Sequence, residues 1–296
     1  MEKIAVWLDT DIGGDIDDAL ALALIMRSQE IELIGVTTSF NYSEKKARIA
    51  RRLLDVGGFS SVPVYAGQDR PILSSRPLCE PCQYDEATLG HISVEKNGVE
   101  KMAHALLERE EKTTLVTIGS LTNAALMLML YPETKDKIER LVMMGGNYYS
   151  NAVECNIAED ALAADYVFRV GIPIAAVGTD VTDRVVLSWD EVEEIKTKND
   201  PVCAFLTELM ERWGNYRPTL HDPLAVMYLL KPELLTMQKE EISVVTSEGA
   251  ANGMTYNVSL RRHIWGGEAE YPNVLCARDV DEKTAVRFFM DRVVRH

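Results

Sequence analysis

The chain has 296 residues, of which 47% are hydrophobic, 26% charged and 7% aromatic, a composition that supports a sizeable core and excludes disordered, collagen-like and coiled-coil classes. Lys and Arg total 31 against 46 Asp and Glu, a formal charge of −15, which repels a phosphate backbone and argues against nucleic acid polymers as partners. An acidic surplus has two remaining meanings, a solvated surface or a local carboxylate cluster that holds a cation, and only the positions of the acids separate them.

Along the chain, short β-rich apolar runs recur, each followed by a turn and then a stretch with helical spacing, the pattern of βα units in a parallel sheet. Strands are predicted over residues 4–8, 33–38, 62–65, 114–118, 141–144 and 172–177, with a later one over 242–245. Helices are predicted over 18–27, 44–55, 99–108, 123–130, 160–170, 190–196, 201–213, 223–230 and 282–292. The expected fold class is α/β, an open, mostly parallel, Rossmann-like sheet flanked by helices. No low-complexity linker, charge block or internal repeat divides the chain, so one domain over 1–296 is expected. The polar, Pro-rich stretch 68–98 fits an active-site loop and a surface excursion equally well.

The longest apolar runs, 19–26 and 224–230, fall short of the roughly 18 residues of a membrane span. Met1-Glu2-Lys3 and the short run after it lack the basic region and long apolar segment of a secretion signal. No membrane partner and a cytoplasmic location are therefore expected. The five cysteines are too scattered for a disulfide framework. The pair Cys79-Glu80-Pro81-Cys82 has no second close Cys or His pair for zinc, and its prolines suggest a loop rather than the helix start of a redox motif, so two reduced thiols are expected.

The acids are concentrated where the first strand ends, in Asp9-Thr10-Asp11-Ile12-Gly13-Gly14-Asp15-Ile16-Asp17-Asp18-Ala19, five carboxylates in ten positions. In open α/β sheets, ligands bind beyond the carboxyl ends of the strands, where this loop falls. Capping explains Asp17 or Asp18 at a helix start, but a helix dipole contributes only about 0.3–1 kcal/mol per carboxylate. Five crowded charges call for a cation or protonation. An EF-hand fails, because Leu20 occupies the position of its bidentate Glu and a strand precedes the loop. Two chemistries remain open. One is a magnesium-dependent phosphatase of the haloacid dehalogenase type, with Asp9-Thr10-Asp11 as its Asp-x-Asp motif; the other is an all-oxygen calcium site with a position left for substrate and water. A non-catalytic nucleoside or sugar binder that keeps the metal is the alternative from a different class.

The loop resembles the signature of the inosine-uridine type nucleoside hydrolases, Asp-x-Asp-Pro-Gly-x-Asp-Asp-Ala, with Ile12 in place of Pro and two additional residues before Asp17-Asp18. Three later segments resemble the same family in the same order: Gly119-Ser120-Leu121-Thr122-Asn123, then Met144-Gly145-Gly146-Asn147 leading to Glu154-Cys155-Asn156-Ile157, then His221-Asp222-Pro223. Each has a local alternative. Thr122 fits an N-cap, Asn156 with Glu159 fits a capping box, and Asp222 with Pro223 fits a helix start; no such role is evident for Glu154 or His221.

The resemblance implies a nucleoside hydrolase fold and calcium-dependent hydrolysis of the N-glycosidic bond of a ribonucleoside, giving free base and ribose. It implies that Asp11, Asp18, Asp222 and the Thr122 carbonyl hold Ca2+, with Asp11 taking the proton of a water held by that ion. It further implies that Asp17, Asn41, Glu154 and Asn156 contact the ribose or its water, with Asn147 or Asn151, preferably Asn147, at the 5′-hydroxyl. His221 is implied as proton donor to the departing base, and a homodimer or homotetramer as the assembly.

Overall fold

The computed structural model describes residues 3–73, 77–150, 152–259 and 273–296. Its strands are β1 (Ile4–Thr10), β2 (Ile31–Thr38), β3 (Val64–Ala66), β4 (Thr113–Thr117), β5 (Ile138–Met144), β6 (Ile174–Val177), β7 (Leu235–Val244), β8 (Thr255–Asn257) and β9 (Asn273–Val280). Its helices are α1 (Asp17–Met26), α2 (Ser43–Val56), α3 (Glu86–Leu89), α4 (Gly98–Glu108), α5 (Thr122–Leu130), α6 (Cys155–Glu159), α7 (Ala161–Arg169), α8 (Thr179–Thr182), α9 (Trp189–Thr197), α10 (Pro201–Trp213), α11 (His221–Leu230) and α12 (Glu282–Val293).

One sheet joins the strands in the order β3-β2-β1-β4-β5-β6-β9-β7-β8. The pairs from β3 to β9 are parallel, and β7 pairs antiparallel with both β9 and β8. Chain order therefore reverses between β1 and β4, where the chain leaves one strand upward on one side and the other on the opposite side. A crevice opens there at the carboxyl edge, the usual ligand position of such sheets. The acid loop follows β1 and Ile118 follows β4, so both border this crevice.

The predicted α/β architecture is what forms. β9 and β8 were not anticipated, and β7 starts earlier than its apolar core at 242–244. In the stretch Gln238-Lys239-Glu240-Glu241 polar residues blur the alternation, as expected for an antiparallel margin that is partly solvated. The helices α3, α6 and α8, of four or five residues each, are too short to show a 3.6-residue period.

Helix α1 is buried along its whole length, from Asp17 to Met26. Its Ala-Leu-Ala-Leu-Ala-Leu-Ile-Met run is apolar on every face, which suits a helix surrounded by protein rather than a surface helix. It packs against α11, largely apolar after its first two residues and buried from Asp222 to Met227. Among the described residues no helix is long and apolar enough to cross a membrane.

Candidate active site

Helices α1 and α11 begin at the same place, and each carries acids in its first turn: Asp17 and Asp18 on α1, Asp222 on α11. Their carboxylate oxygens lie within 4.8 Å of one another, and all three residues are buried. None acts as a helix cap, since the residues before these helices, Ile16 and Leu220, make no side-chain cap and the acids sit inside the first turn. The capping explanation for Asp17, Asp18 and Asp222 is thereby removed.

Burial and mutual repulsion decide the protonation of this trio. Burial, then Asp15 and Asp11, push the Asp17 carboxyl well above the usual range. Burial, Asp11 and Asp17 do the same to Asp18, against the opposing Thr10 hydroxyl and Lys46 ammonium. Burial, Asp17 and Asp18 raise Asp222. Three such groups ionise together only beside a positive charge. The donor set is oxygen only and fits a hard divalent cation such as Ca2+ or Mg2+ rather than a thiolate-seeking metal.

The trio opens into a cavity of about 360 Å³ lined also by Asp11, Asp15, Ile118, Met144, Glu154, Asn156, Glu159, Thr179, Asp183 and His221. Asp11 is held from two sides. The Lys46 ammonium lies 2.6 Å from its carbonyl and 3.2 Å from Oδ2, while its Cβ and Oδ1 rest against Gly119, where any Cβ would stand 2.8 Å from both. Glu154 accepts from the amides of Gly146 (2.8 Å), Asn156 (2.8 Å) and Ile157 (3.1 Å), which makes it the cap of α6. The residue for which no local role was evident thus has one, and Asn156, the expected cap, lies inside the helix. Its Nδ2 donates to the carbonyls of Ile118 (3.1 Å) and Met144 (3.3 Å), leaving Oδ1 as an acceptor for a ligand.

His221 contacts the Thr182 hydroxyl through Nδ1 at 2.7 Å. Burial lowers its pKa below the usual histidine value, against the opposing Asp183 and Asp15, so the imidazole is neutral at pH 7. At another wall, Glu159 has Oε2 buried without a hydrogen-bond partner among the described residues. Burial first, then Asp11, pushes its carboxyl up to about 9, so it keeps its proton at neutral pH.

Other expected site residues lie elsewhere. Thr122 is the first residue of α5 and not its cap; its hydroxyl donates to Asp160 Oδ2 at 2.7 Å, and it is not among the cavity residues. Ile118, the residue after β4, lines the cavity instead. Asn41 lines an adjoining cavity of about 480 Å³ that shares Glu159 with the first. It stands in a left-handed run, Phe40, Asn41 and Tyr42 at φ 59°, 53° and 52°, a conformation that non-glycine residues keep only when the surroundings impose it. Here the Phe40 and Asn41 amides are fixed by the carbonyls of Gln68 and Asp69 at 2.7 and 2.9 Å. Asn147 organises its own loop, with Oδ1 accepting from Ser150 and Nδ2 donating to Thr179; Asn151 lies outside the described residues.

Asp9, the nucleophile required by the phosphatase alternative, is fully buried below the loop and does not border the cavity. It accepts from Thr37 (2.5 Å) and Asn123 (2.8 Å), and burial raises its pKa to about 7. From the stretch 68–98, Gln83 lies against the acid loop. Gln83 donates from its backbone to Gly13 O (3.1 Å) and from Nε2 to Asp15 O (2.7 Å). Cys79 and Cys82 are free and exposed.

Lys46, Gly119, Ile118, Gln83 and Glu159 were not anticipated. Only Lys46 left a clear signal in the sequence: it shares the spacing of Ile49, Ala50, Leu53 and Leu54, the buried stripe of α2, where a lysine is out of place.

A doubly wound sheet with a buried carboxylate trio and a polar cavity at its switch point defines an α/β protein with an oxygen-donor site for a cation and a small polar ligand. Residues 6–287 match the model of the inosine-uridine preferring nucleoside hydrolases, and the chain belongs to that family of ribonucleoside-hydrolysing enzymes. It is 32% identical over 312 aligned positions to the pyrimidine-specific ribonucleoside hydrolase RihA of Escherichia coli O81 (strain ED1a), with 98% of both chains covered. Among solved structures it is similar to a purine-preferring ribonucleoside hydrolase from Gardnerella vaginalis, with TM-score 0.81, 27% identity and 98% of both chains covered. The fold also matches the plant nucleoside hydrolase PpNRh1, with TM-score 0.88, 23% identity and 99% of both chains covered.

Proposed function

We propose that the protein hydrolyses the N-glycosidic bond of ribonucleosides in a calcium-dependent reaction, with Asp11 as the base. The observation that carries this is the joining of Asp17, Asp18 and Asp222 with Asp11, Glu154 and Asn156 in one cavity. Asp17, Asp18 and Asp222 would hold the ion, with Asp11 and the Ile118 carbonyl beside it. Bound there, calcium supplies positive charge that orients the ribose hydroxyls and makes a water easier to deprotonate.

The chain's own groups do the rest. Asp11 takes the proton of the attacking water as the water oxygen bonds to the anomeric carbon. The bond to the base nitrogen breaks with its electron pair leaving on the base. Positive charge grows on the sugar, and the surrounding carboxylates stabilise it. Asn156 Oδ1 accepts from a ribose hydroxyl, and Glu154, braced by three amides, offers its remaining lone pairs to another. His221, held neutral, donates an N–H hydrogen bond that stabilises the negative charge building on the departing base, and the base takes its proton from solvent.

The substrate in this reading is an uncharged small molecule, in keeping with the net charge of −15. Reduced thiols suit a cytoplasmic setting. A single domain, and a homodimer or homotetramer, complete the proposal. The test is release of reducing sugar from purine and pyrimidine ribonucleosides, with calcium and with chelator. Release should need calcium and should vanish in Asp11→Ala with the fold intact. Activity that survives chelation refutes the metal role, and absence of release from every nucleoside refutes the reaction.

A further inference from the structure

Among the described residues Lys46 is the one buried Lys or Arg, its side chain 4% exposed. Burying an ammonium costs several kcal/mol unless it is paired. The apolar face of α2 does not require it, since Ile49, Ala50, Leu53 and Leu54 already anchor that helix in the core. Both hydrogen-bond partners of Lys46 belong to a single residue: the carbonyl of Asp11 at 2.6 Å and its Oδ2 at 3.2 Å. Gly119 packs against Asp11 at its Cβ and Oδ1 and leaves no room there for a side chain of its own. The acid loop differs in length from its family's signature, so its placement needs support of its own. Gly13, at φ 116°, packs close to Ile49 and within reach of the Lys46 stem.

We propose that Lys46 is a positioning residue, whose ammonium ties down the backbone and one carboxylate oxygen of Asp11 so that the other oxygen is presented to the substrate's water. Lys46 touches neither substrate nor reacting atoms; it acts through Asp11. The inference rests on the nucleoside-hydrolysing reading above and adds a residue to it. It has a signature that simple support of the loop lacks. A fixed positive charge beside the trio opposes a second cation, so its removal should loosen Asp11 while making calcium bind more tightly. A residue needed only for loop structure would, when lost, weaken calcium binding together with activity.

The test compares the full chain with Lys46→Met and Lys46→Gln. Initial rates on a ribonucleoside should show kcat reduced about tenfold to a hundredfold, the range for a misplaced catalytic group, with KM within about threefold. Calorimetric titration with calcium alone should show affinity raised about threefold or more at low ionic strength, an effect that salt diminishes. An unchanged kcat in both variants overturns the assignment, and so does calcium affinity that falls together with kcat. Failure of both variants to fold overturns it as well, because the ammonium then serves the fold and not Asp11. Absence of ribose release from the wild type refutes the reaction itself, which separates the two failures.

Discussion

Asp222→Asn keeps the side-chain shape and removes one charge from the trio, and its effect on the metal-free protein can be worked from the geometry. The carboxylate oxygens lie within 4.8 Å of one another, so each ionised pair repels by at least about 332/(20 × 4.8) ≈ 3.5 kcal/mol at an effective dielectric constant of about 20. Keeping one acid protonated at pH 8 instead costs about 1.4 × (8 − 3.9) ≈ 6 kcal/mol. Either way, the metal-free wild type is destabilised by several kcal/mol at pH 8. The trio's raised pKa values mean that its favourable, protonated contribution is complete below about pH 4 and is lost as pH rises. Without metal, Asp222→Asn should therefore be more stable than wild type by about 2–4 kcal/mol at pH 8, or about 4–8 °C in Tm. The gain should fall below about 1.5 kcal/mol at pH 5, where protonation is cheap. With saturating calcium the order should reverse, because the variant has lost a ligand. Thermal or urea melts of chelator-treated and calcium-loaded protein at both pH values measure all of this. A metal-free variant less stable than wild type at pH 8, or equally stabilised at pH 5 and pH 8, would refute the reasoning.

Two further outcomes follow from residues around the trio. Asp9, raised by burial to about 7, contributes stability that is present below about pH 4 and is lost as pH rises through 7; Asp9→Asn should flatten the urea-melt stability profile between these limits, and an unchanged slope would exclude Asp9 as its source. Gly119→Ala would set a Cβ 2.8 Å from the Asp11 Cβ and Oδ1, so Asp11 must move; kcat should drop about a hundredfold with KM for the nucleoside near wild type, and retention of full kcat would show that Asp11 tolerates displacement.

Much of the site was legible because a strand followed by an acid-rich, glycine-containing turn and a buried helix fixes where those acids go. The loop from Asp9 to Asp18, Glu154, Asn156 and His221-Asp222 were each located from the chain alone, at strand ends or helix starts. What went unread depended on contacts between distant segments. The cap of α6 is Glu154 because its carboxylate also meets the Gly146 amide from another turn. Ile118 rather than Thr122 lines the cavity because the turn after β4 carries Thr122 away, toward Asp160. Asn147 faces its own loop for a similar reason: Ser150 and Thr179 reach its amide first.

The alternation of strand and helix and the five carboxylates between Asp9 and Asp18, by themselves, determined an α/β protein with an acid-bearing ligand edge, since period and the order of charges are local properties of the chain. Only the tertiary structure decided which acids meet. Asp222 lies over 200 residues from Asp17 in the chain, yet the packing of α11 on α1 brings both to one buried point with Asp18. The placement of α2 beside the acid loop likewise sets Lys46 against Asp11, 35 residues apart. Sequence reports which groups are charged, but how strongly they repel and what they can hold depend on distances and burial that exist only once the helices have packed.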